Sequence, residues 1–285
     1  MFVIIGIVVV LGSIIGGYLM EEGNLNVLLQ PAEIVIIFGA ALGSFFIASP
    51  AKVVGLVSKN VISIVAAKSQ SKGKYLELLS LLYQLFSKIR KEGLVSIESD
   101  IENPPKSPIF QKHAGLLSNR HALNFICDNL KVIITANIPP HELDNLMEIE
   151  IDTHHHEAMI PSHSVAKIAD ALPGLGIVAA VLGVVLTMGK IDQPPAVLGH
   201  SIGAALVGTF LGVLMCYGFV GPMAANLEHQ AREGGTFFQV IRVALVAFVG
   251  GSAPQMAVEF GRRAIPDKEK PTFDELEKLV RGKTR

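Results

Sequence analysis

Four stretches of this chain carry almost no charge, and that fact restricts the fold more than any motif does. Residues 1–20 contain no charged side chain, and residues 34–51 form a second uncharged run. A third run, ALPGLGIVAAVLGVVLTMG, lies between Asp170 and Lys190, and a fourth covers about 198–220 with His200 its only ionisable residue. About 20 apolar residues at ~1.5 Å rise cross a hydrocarbon core ~30 Å thick. Each run therefore predicts a transmembrane helix, since lipid offers no partner for an unpaired backbone amide. The composition agrees: 50% of the 285 residues are hydrophobic and 17% charged, with a mean hydropathy of +0.48. The first run is expected to be a retained anchor and not a signal peptide, because no basic leader precedes Phe2 and no small-residue cleavage site breaks it.

The runs come in pairs. A short acidic link containing Glu21 and Glu22 joins the first two, and a short link containing Lys190 and Asp192 joins the last two. Lys and Arg are retained on the cytoplasmic side of a span. The first link has none and the second has only Lys190, whereas Lys52, Lys59, Lys68, Lys72 and Lys74 follow the second run. Both links are thus expected to face outward, with the middle segment and both termini in the cytoplasm. The expected fold class is an all-α integral membrane protein, with four transmembrane helices in two hairpins and a helical cytoplasmic domain. Its expected divisions are 1–57 (the first hairpin), 58–167 (the cytoplasmic domain), 168–222 (the second hairpin) and 223–285 (a cytoplasmic helical tail).

Helical periodicity supports that division. Leu76, Leu79, Leu82, Tyr83 and Phe86 recur on one face in the middle domain, and strand alternation is largely absent. In the tail, Thr272 ahead of Asp274 and Glu275 marks a helix start, and Phe273, Leu276, Leu279 and Val280 make its apolar face. Segment 236–258 is apolar but contains Arg242, Gly250, Gly251 and Pro254, and a fifth span would carry Arg262, Arg263 and Lys268 outside. It is read as a cytoplasmic helix packed on the middle domain.

Composition also removes some functions. With 24 basic and 25 acidic residues the net charge is −1, leaving no field to gather phosphates, so no nucleic-acid partner is expected. Cys127 and Cys216 lie in a polar and an apolar segment, so both are expected as free thiols. Small residues recur four apart in every span, at Gly12 and Gly16, Gly39 and Gly43, Ala179 and Gly183, and Gly208 and Gly212. That spacing reports close helix packing within one subunit or between subunits. No span has a charged residue in its central part, although proteins that move ions through a membrane carry titratable groups there. If the chain serves ion flow, a partner must bring the carboxylate. This chain would then supply the wall beside it, from Thr209 and the backbone near Pro173. Pro173 either begins a helix or interrupts one and frees a carbonyl, and Thr209 either lines a path or bonds its own helix. Pro222 is expected to close the fourth span.

Two motifs carry no weight. Gly174, Gly176 and Ala179 fit the dinucleotide fingerprint but lie in a span instead of a soluble βαβ unit. His154, His155 and His156, with Asp152, Glu157 and His163 nearby, are metal-ligand types. Consecutive helical residues point about 100° apart, so the triplet cannot converge on one ion, and no metal or cofactor is expected. A third pattern is more distinctive. Lys88, Arg90 and Lys91 are followed by Glu92, Glu98, Asp100 and Glu102, with Gly93 placed to end a helix between them. Such a sign change either meets a partner with the opposite order of charge or forms a solvated face with weak internal pairs.

Several segments together resemble the MotA family of flagellar motor stator subunits along nearly the whole chain. They are GGYLMEEGNLNVLLQPAEIVIIFGAALGSF, SDIENP, LPGLGIVAAVLGVV, VGTFLGVLMCYGF, AVEFGRR and KPTFDELEKLVR. The resemblance implies no enzyme but a bacterial inner-membrane stator, in which several copies of the chain surround a dimer of a MotB-like single-span protein that supplies the ion-carrying Asp. It implies that Arg90 and Glu98, with Glu150 secondary, face the rotor protein FliG, and that Pro173, Pro222 and Thr209 serve the ion path. Sodium-driven relatives have a second threonine where this chain has Ala180, which offers no oxygen, so the transported ion is expected to be H⁺. The nearest rival is an ExbB/TolQ-type energiser of an outer-membrane process, with three spans and no first hairpin. A more distant one is a metal-dependent membrane protein built on the histidines.

Overall fold

A computed structural model describes residues 2–66, 71–136 and 138–281; Lys68 of the topology argument lies outside them. Among the described residues every regular element is helical. In chain order they are α1 (Phe2–Met20), α2 (Leu25–Leu28), α3 (Pro31–Ala48), α4 (Ala51–Ala66), α5 (Lys72–Glu92), α6 (Glu98–Glu102), α7 (Ala114–Ser118), α8 (Arg120–Ala136), α9 (Pro140–Met188), α10 (Pro195–Leu214), α11 (Gly221–Val249), α12 (Pro254–Arg263) and α13 (Phe273–Arg281). Four of them, α1, the segment from α2 through α3, α9 and the run from α10 into α11, are long and apolar enough to cross a membrane. Two compact units result, one from Met1–Ala67 and Ala158–His229, the other from Lys68–Glu157 and Gln230–Arg285.

In the first unit, α1 is apolar on every side and buries no residue, which is the signature of a helix solvated by lipid. Its Val- and Ile-rich sequence would favour a strand in water, but in lipid only a helix satisfies a single segment's amides internally. Pro31 opens α3 at the first helical position, where its missing N–H costs nothing. One stripe of α3 is buried, namely Glu33, Ile37, Ala41 and Phe45, four residues apart. Ile37 and Ala41 pack with Leu172 and Ala179 of α9, and Phe45 packs with Val57 and Ile64 of α4 and Leu227 of α11. The Ser162 hydroxyl on α9 donates to the Ala224 carbonyl on α11 at 2.9 Å, an interhelical bond in an apolar setting.

The two prolines behave differently from each other. Of the two expectations for Pro173 the second holds: with Pro161 it sits inside α9, so the carbonyls four residues earlier lose their usual donors. Pro222 does not close the fourth span. A π turn, Met215–Val220, leads from α10 into α11, and the Gly221 amide donates back to the Cys216 carbonyl. That wider spacing gives the proline ring room and moves the hydrogen-bond register past its missing N–H, so the helix continues to Val249.

In the second unit α5 supplies the core, with Tyr75, Leu78, Leu79, Leu82, Leu85 and Phe86 all buried. Phe86 stacks on Phe248 at 4.3 Å, and Phe125 meets Phe238 edge-on at 5.2 Å. Segment 236–258 packs in this core as two pieces, the end of α11 and the start of α12. The turn between them needs glycine, since Gly251 has φ +92°. Arg242 is no flaw in the segment: its guanidinium pairs with Asp144 at 2.6 Å and Glu148 at 3.2 Å. The tail helix starts as its sequence foretells, with the Thr272 amide donating to the Glu275 carboxylate and the Glu275 amide to the Thr272 hydroxyl.

Only half of the small-residue pairs are packed within the chain. A Cβ on Gly212 would stand 2.5 Å from the Leu172 carbonyl, whereas one on Gly39 would meet nothing within 4 Å. Gly212→Ala is therefore expected to cost ~1–3 kcal/mol by overpacking and to lower the melting temperature of the detergent-purified protein. Gly39→Ala is expected to leave it unchanged, and a drop there would mean that α3 packs against another chain.

Candidate functional site

The first candidate site is the seam between α9 and α10. A Cβ on Gly176 would stand 2.8 Å from the Gly208 carbonyl and 3.1 Å from Gly212 Cα. One on Gly208 would stand 3.1 Å from Ala179 Cβ and 3.2 Å from the Ala180 nitrogen, and one on Gly183 would stand 2.7 Å from Ala205 Cβ. The two backbones thus touch where side chains are missing, which is how helices without a hydrophobic drive gain contact in lipid. Gly208 against Ala180 brings Thr209 and Ala180 to one level of the seam. Pro173 lies one level away, beside Leu172, whose carbonyl faces Gly212. Thr209 is half-buried and, among the described residues, its hydroxyl makes no hydrogen bond, whereas Thr187 donates to the Gly183 carbonyl of its own helix at 2.8 Å. Pro222 is elsewhere, lining an apolar groove of about 380 Å³ with Phe2, Ile7 and Tyr217.

One residue that sequence reasoning passed over reaches this seam. Glu33 is only 8% exposed, and its Oε2 is buried without a hydrogen-bond partner. That oxygen lies 2.5 Å from where a Cβ of Gly208 would stand, and Oε1 lies 3.6 Å from the same point on Gly183. The sequence did hold a signal: Glu33 is in register with Ile37, Ala41 and Phe45, the buried stripe of α3. It was masked by taking the second run to begin at the first residue after the charge.

The second candidate site is the sign change between α5 and α6. Gly93 (φ +88°) ends α5, its amide donating to the Ile89 carbonyl. Lys88 pairs with Asp100 at 2.8 Å, and Asp100 also accepts from the Ser107 hydroxyl at 2.6 Å. Asp100 and Ile101 are buried, so the SDIENP segment pins this turn from inside. Arg90 and Glu98 are exposed on either side of the turn, and neither has an ion-pair partner among the described residues. Lys88 and Asp100 form the internal pair of this stretch, while Arg90 and Glu98 are not part of it. Glu150 stands apart on α9, where the Asn129 amide donates to it at 3.4 Å and burial pushes its carboxyl above the usual range.

Other residue clusters are structural. Glu259, in AVEFGRR, is gripped by Arg262 at 2.7 Å and Arg263 at 3.0 Å, and these bonds, that to Arg262 foremost, hold its carboxyl below the usual range. Arg262 also donates to the Pro271 carbonyl, fastening the tail. The histidines fan apart: His154 turns to His121 and Phe238, with ring centroids at 5.5 and 4.6 Å, while His156 bonds the Asp152 carbonyl. Among the described residues no three His, Cys, Asp or Glu side chains are placed to hold a metal ion. Both cysteines are buried and unpaired.

Among the described residues, an all-helical chain with four apolar spans, a glycine-packed seam and a second helical unit defines a multi-span membrane protein. Residues 4–93 match the Motility protein A N-terminal family, and residues 114–238 match the MotA/TolQ/ExbB proton channel family. Motility protein A of Escherichia coli is 44% identical over 99% of this chain and 96% of that protein. Chemotaxis protein LafT of Vibrio parahaemolyticus is 36% identical over 97% of each. The chain belongs to the motility protein A branch of the MotA/TolQ/ExbB proton channel family. The fold is shared with the C. jejuni MotAB structure (TM-score 0.78, 18% identity, 95% of this chain and 98% of that one) and the Bacillus subtilis MotAB stator complex (0.75, 21%, 94% and 98%).

His154 sets a pH dependence. Burial, helped by His121, lowers its pKa below 6.5, so the folded protein holds fewer protons there than the unfolded chain. The neutral ring's contribution to stability is complete above pH 6.5 and is lost as pH falls through the lowered folded value. Thermal melts should show the wild type losing more stability than His154→Phe on acidification from above pH 6.5 down to that value; parallel losses would contradict the assignment.

Proposed function

We propose that this chain is a stator subunit of the bacterial flagellar motor. It forms a proton-conducting complex in the inner membrane with a MotB-like single-span protein and converts ion flow into torque on the rotor. Several copies, arranged as a homo-oligomeric collar in lipid, would surround the partner's helix. The observation that carries this reading is the seam, where the unbonded Thr209 hydroxyl and the methyl of Ala180 share one level and neither can titrate. A wall of this kind conducts beside a carboxylate that a partner would bring, and the solved structures that share the fold are MotAB complexes by their names. The chain itself uses no cofactor and performs no enzymatic step in this reading.

The finer assignments follow the same logic. The spans form two hairpins, 1–57 and 168–222, with 58–167 and the tail 223–285 in the cytoplasm, as the distribution of Lys and Arg requires. Arg90 and Glu98 face FliG in this reading: both are exposed on a charge-alternating turn that the Lys88–Asp100 pair holds from inside. Glu150 is a weaker contact, tied to Asn129. Pro173 frees a carbonyl within the seam helix, and Pro222 sits where α10 passes into α11, a place suited to bending. The ExbB/TolQ-type alternative is not favoured, because the match to motility protein A includes the first two spans and extends over nearly the whole chain.

Charge reversal tests the rotor contact. Arg90→Glu and Glu98→Lys are each expected to reduce swimming strongly with unchanged membrane levels, and a reversed charge on the rotor should restore part of it. Swimming at wild-type speed in both would remove these residues from torque generation. The ion is tested by motor speed, which should follow the proton potential and ignore sodium. Ala180→Thr should not raise proton-driven speed.

A further inference from the structure

Glu33 is the one acidic residue of α1, α3 and α10, and it reaches the seam between α9 and α10. Gly208 lacks the Cβ atom that would collide with its Oε2, and Gly183 lies in ordinary contact range of its Oε1. Glu33 is 8% exposed, and among the described residues no donor, cation or carbonyl bonds it. A carboxyl that served only to fasten α3 to the seam would be hydrogen-bonded, since burying one without a partner costs stability. Acidic side chains buried within a span mark ion pathways and proton relays.

Its position supplies the direction. Glu33 lies at the end of α3 next to the first short link, and Gly183 lies five residues before α9 ends at the second. Its other contact, Gly208, precedes Thr209 and touches Ala180. We propose that Glu33 is a second proton-carrying carboxyl of the path, supplied by this chain. It takes protons from the short-link side and passes them to the partner's carboxylate at the level of Ala180 and Thr209. The inference rests on the stator reading above. In the first step an O–H bond of hydrated H⁺ breaks as the Glu33 O–H forms. In the second that O–H breaks and the proton goes to the partner's carboxylate, which restores the Glu33 anion. No electrons change hands.

The test uses the full complex of this chain with its single-span partner, reconstituted in vesicles, with proton flux measured against the pH on the short-link side. Glu33→Gln keeps the shape and removes the titration. Flux should fall about a hundredfold or more, the lower end of what a positioned proton-transfer group contributes, with partner binding and melting temperature unchanged. Glu33→Asp should retain most of the flux with a displaced pH profile. Wild-type flux and pH profile in Glu33→Gln would overturn the proposal, as would equal losses in the Gln and Asp variants. A loss that tracks reduced partner binding or melting temperature would overturn it as well, since that marks a packing role. Failure of the stator reading is distinguishable: the wild-type complex itself would then pass no protons, and this inference would fall with it.

Discussion

The approach of two helix backbones at Gly176, Gly208 and Gly212 is the contact on which the membrane unit depends. Apolar side chains gain nothing by leaving lipid for one another, so packing there comes from surfaces that fit closely. Removing Cβ atoms from both helices lets carbonyls and Cα atoms meet directly. That closeness puts Thr209 and Ala180 at one level, and it opens the space that Glu33 enters from α3. The absence of side chains in the seam is thus what creates room for chemistry beside it.

The other unit is held by conventional means. A Leu-rich face of α5 and stacked phenylalanines fix a helical core, with partly buried ion pairs at its edge. The charges divide into those that hold the turn and those that remain available. Lys88 and Asp100 define the turn between α5 and α6, and Glu259 with Arg262 holds the tail. Arg90 and Glu98 stay exposed beside these pairs, without ion-pair partners among the described residues.

Proline use in the spans follows from the same lack of water. In a soluble helix an internal proline leaves carbonyls that water can satisfy, but in lipid it is tolerated where neighbouring groups or a local change of helix type relieve the loss. At Pro222 the relief is a π turn, and α10 runs on into α11 instead of ending. At Pro173 the helix also continues, with the adjacent Leu172 carbonyl facing the glycine side of α10.

The sequence by itself determined the four spans, the all-helical class, the helix end at Gly93, the capping box at Thr272 and the family. Each of these rests on local physics: an uncharged run of sufficient length, a glycine free to adopt positive φ, or a hydroxyl three residues before a carboxylate. It also placed segment 236–258 beside the middle domain from Arg242 and the glycine pair. Only the tertiary structure decided which small residues are packed, since Gly39 and Gly208 look alike until the facing helix is present. It likewise separated Lys88 and Asp100 from Arg90 and Glu98, whose spacing along the chain says nothing about which oxygen a given cation reaches. Above all it decided the place of Glu33. In the sequence it reads as the polar edge of a span, because depth and burial belong to the neighbouring helices and not to the residue.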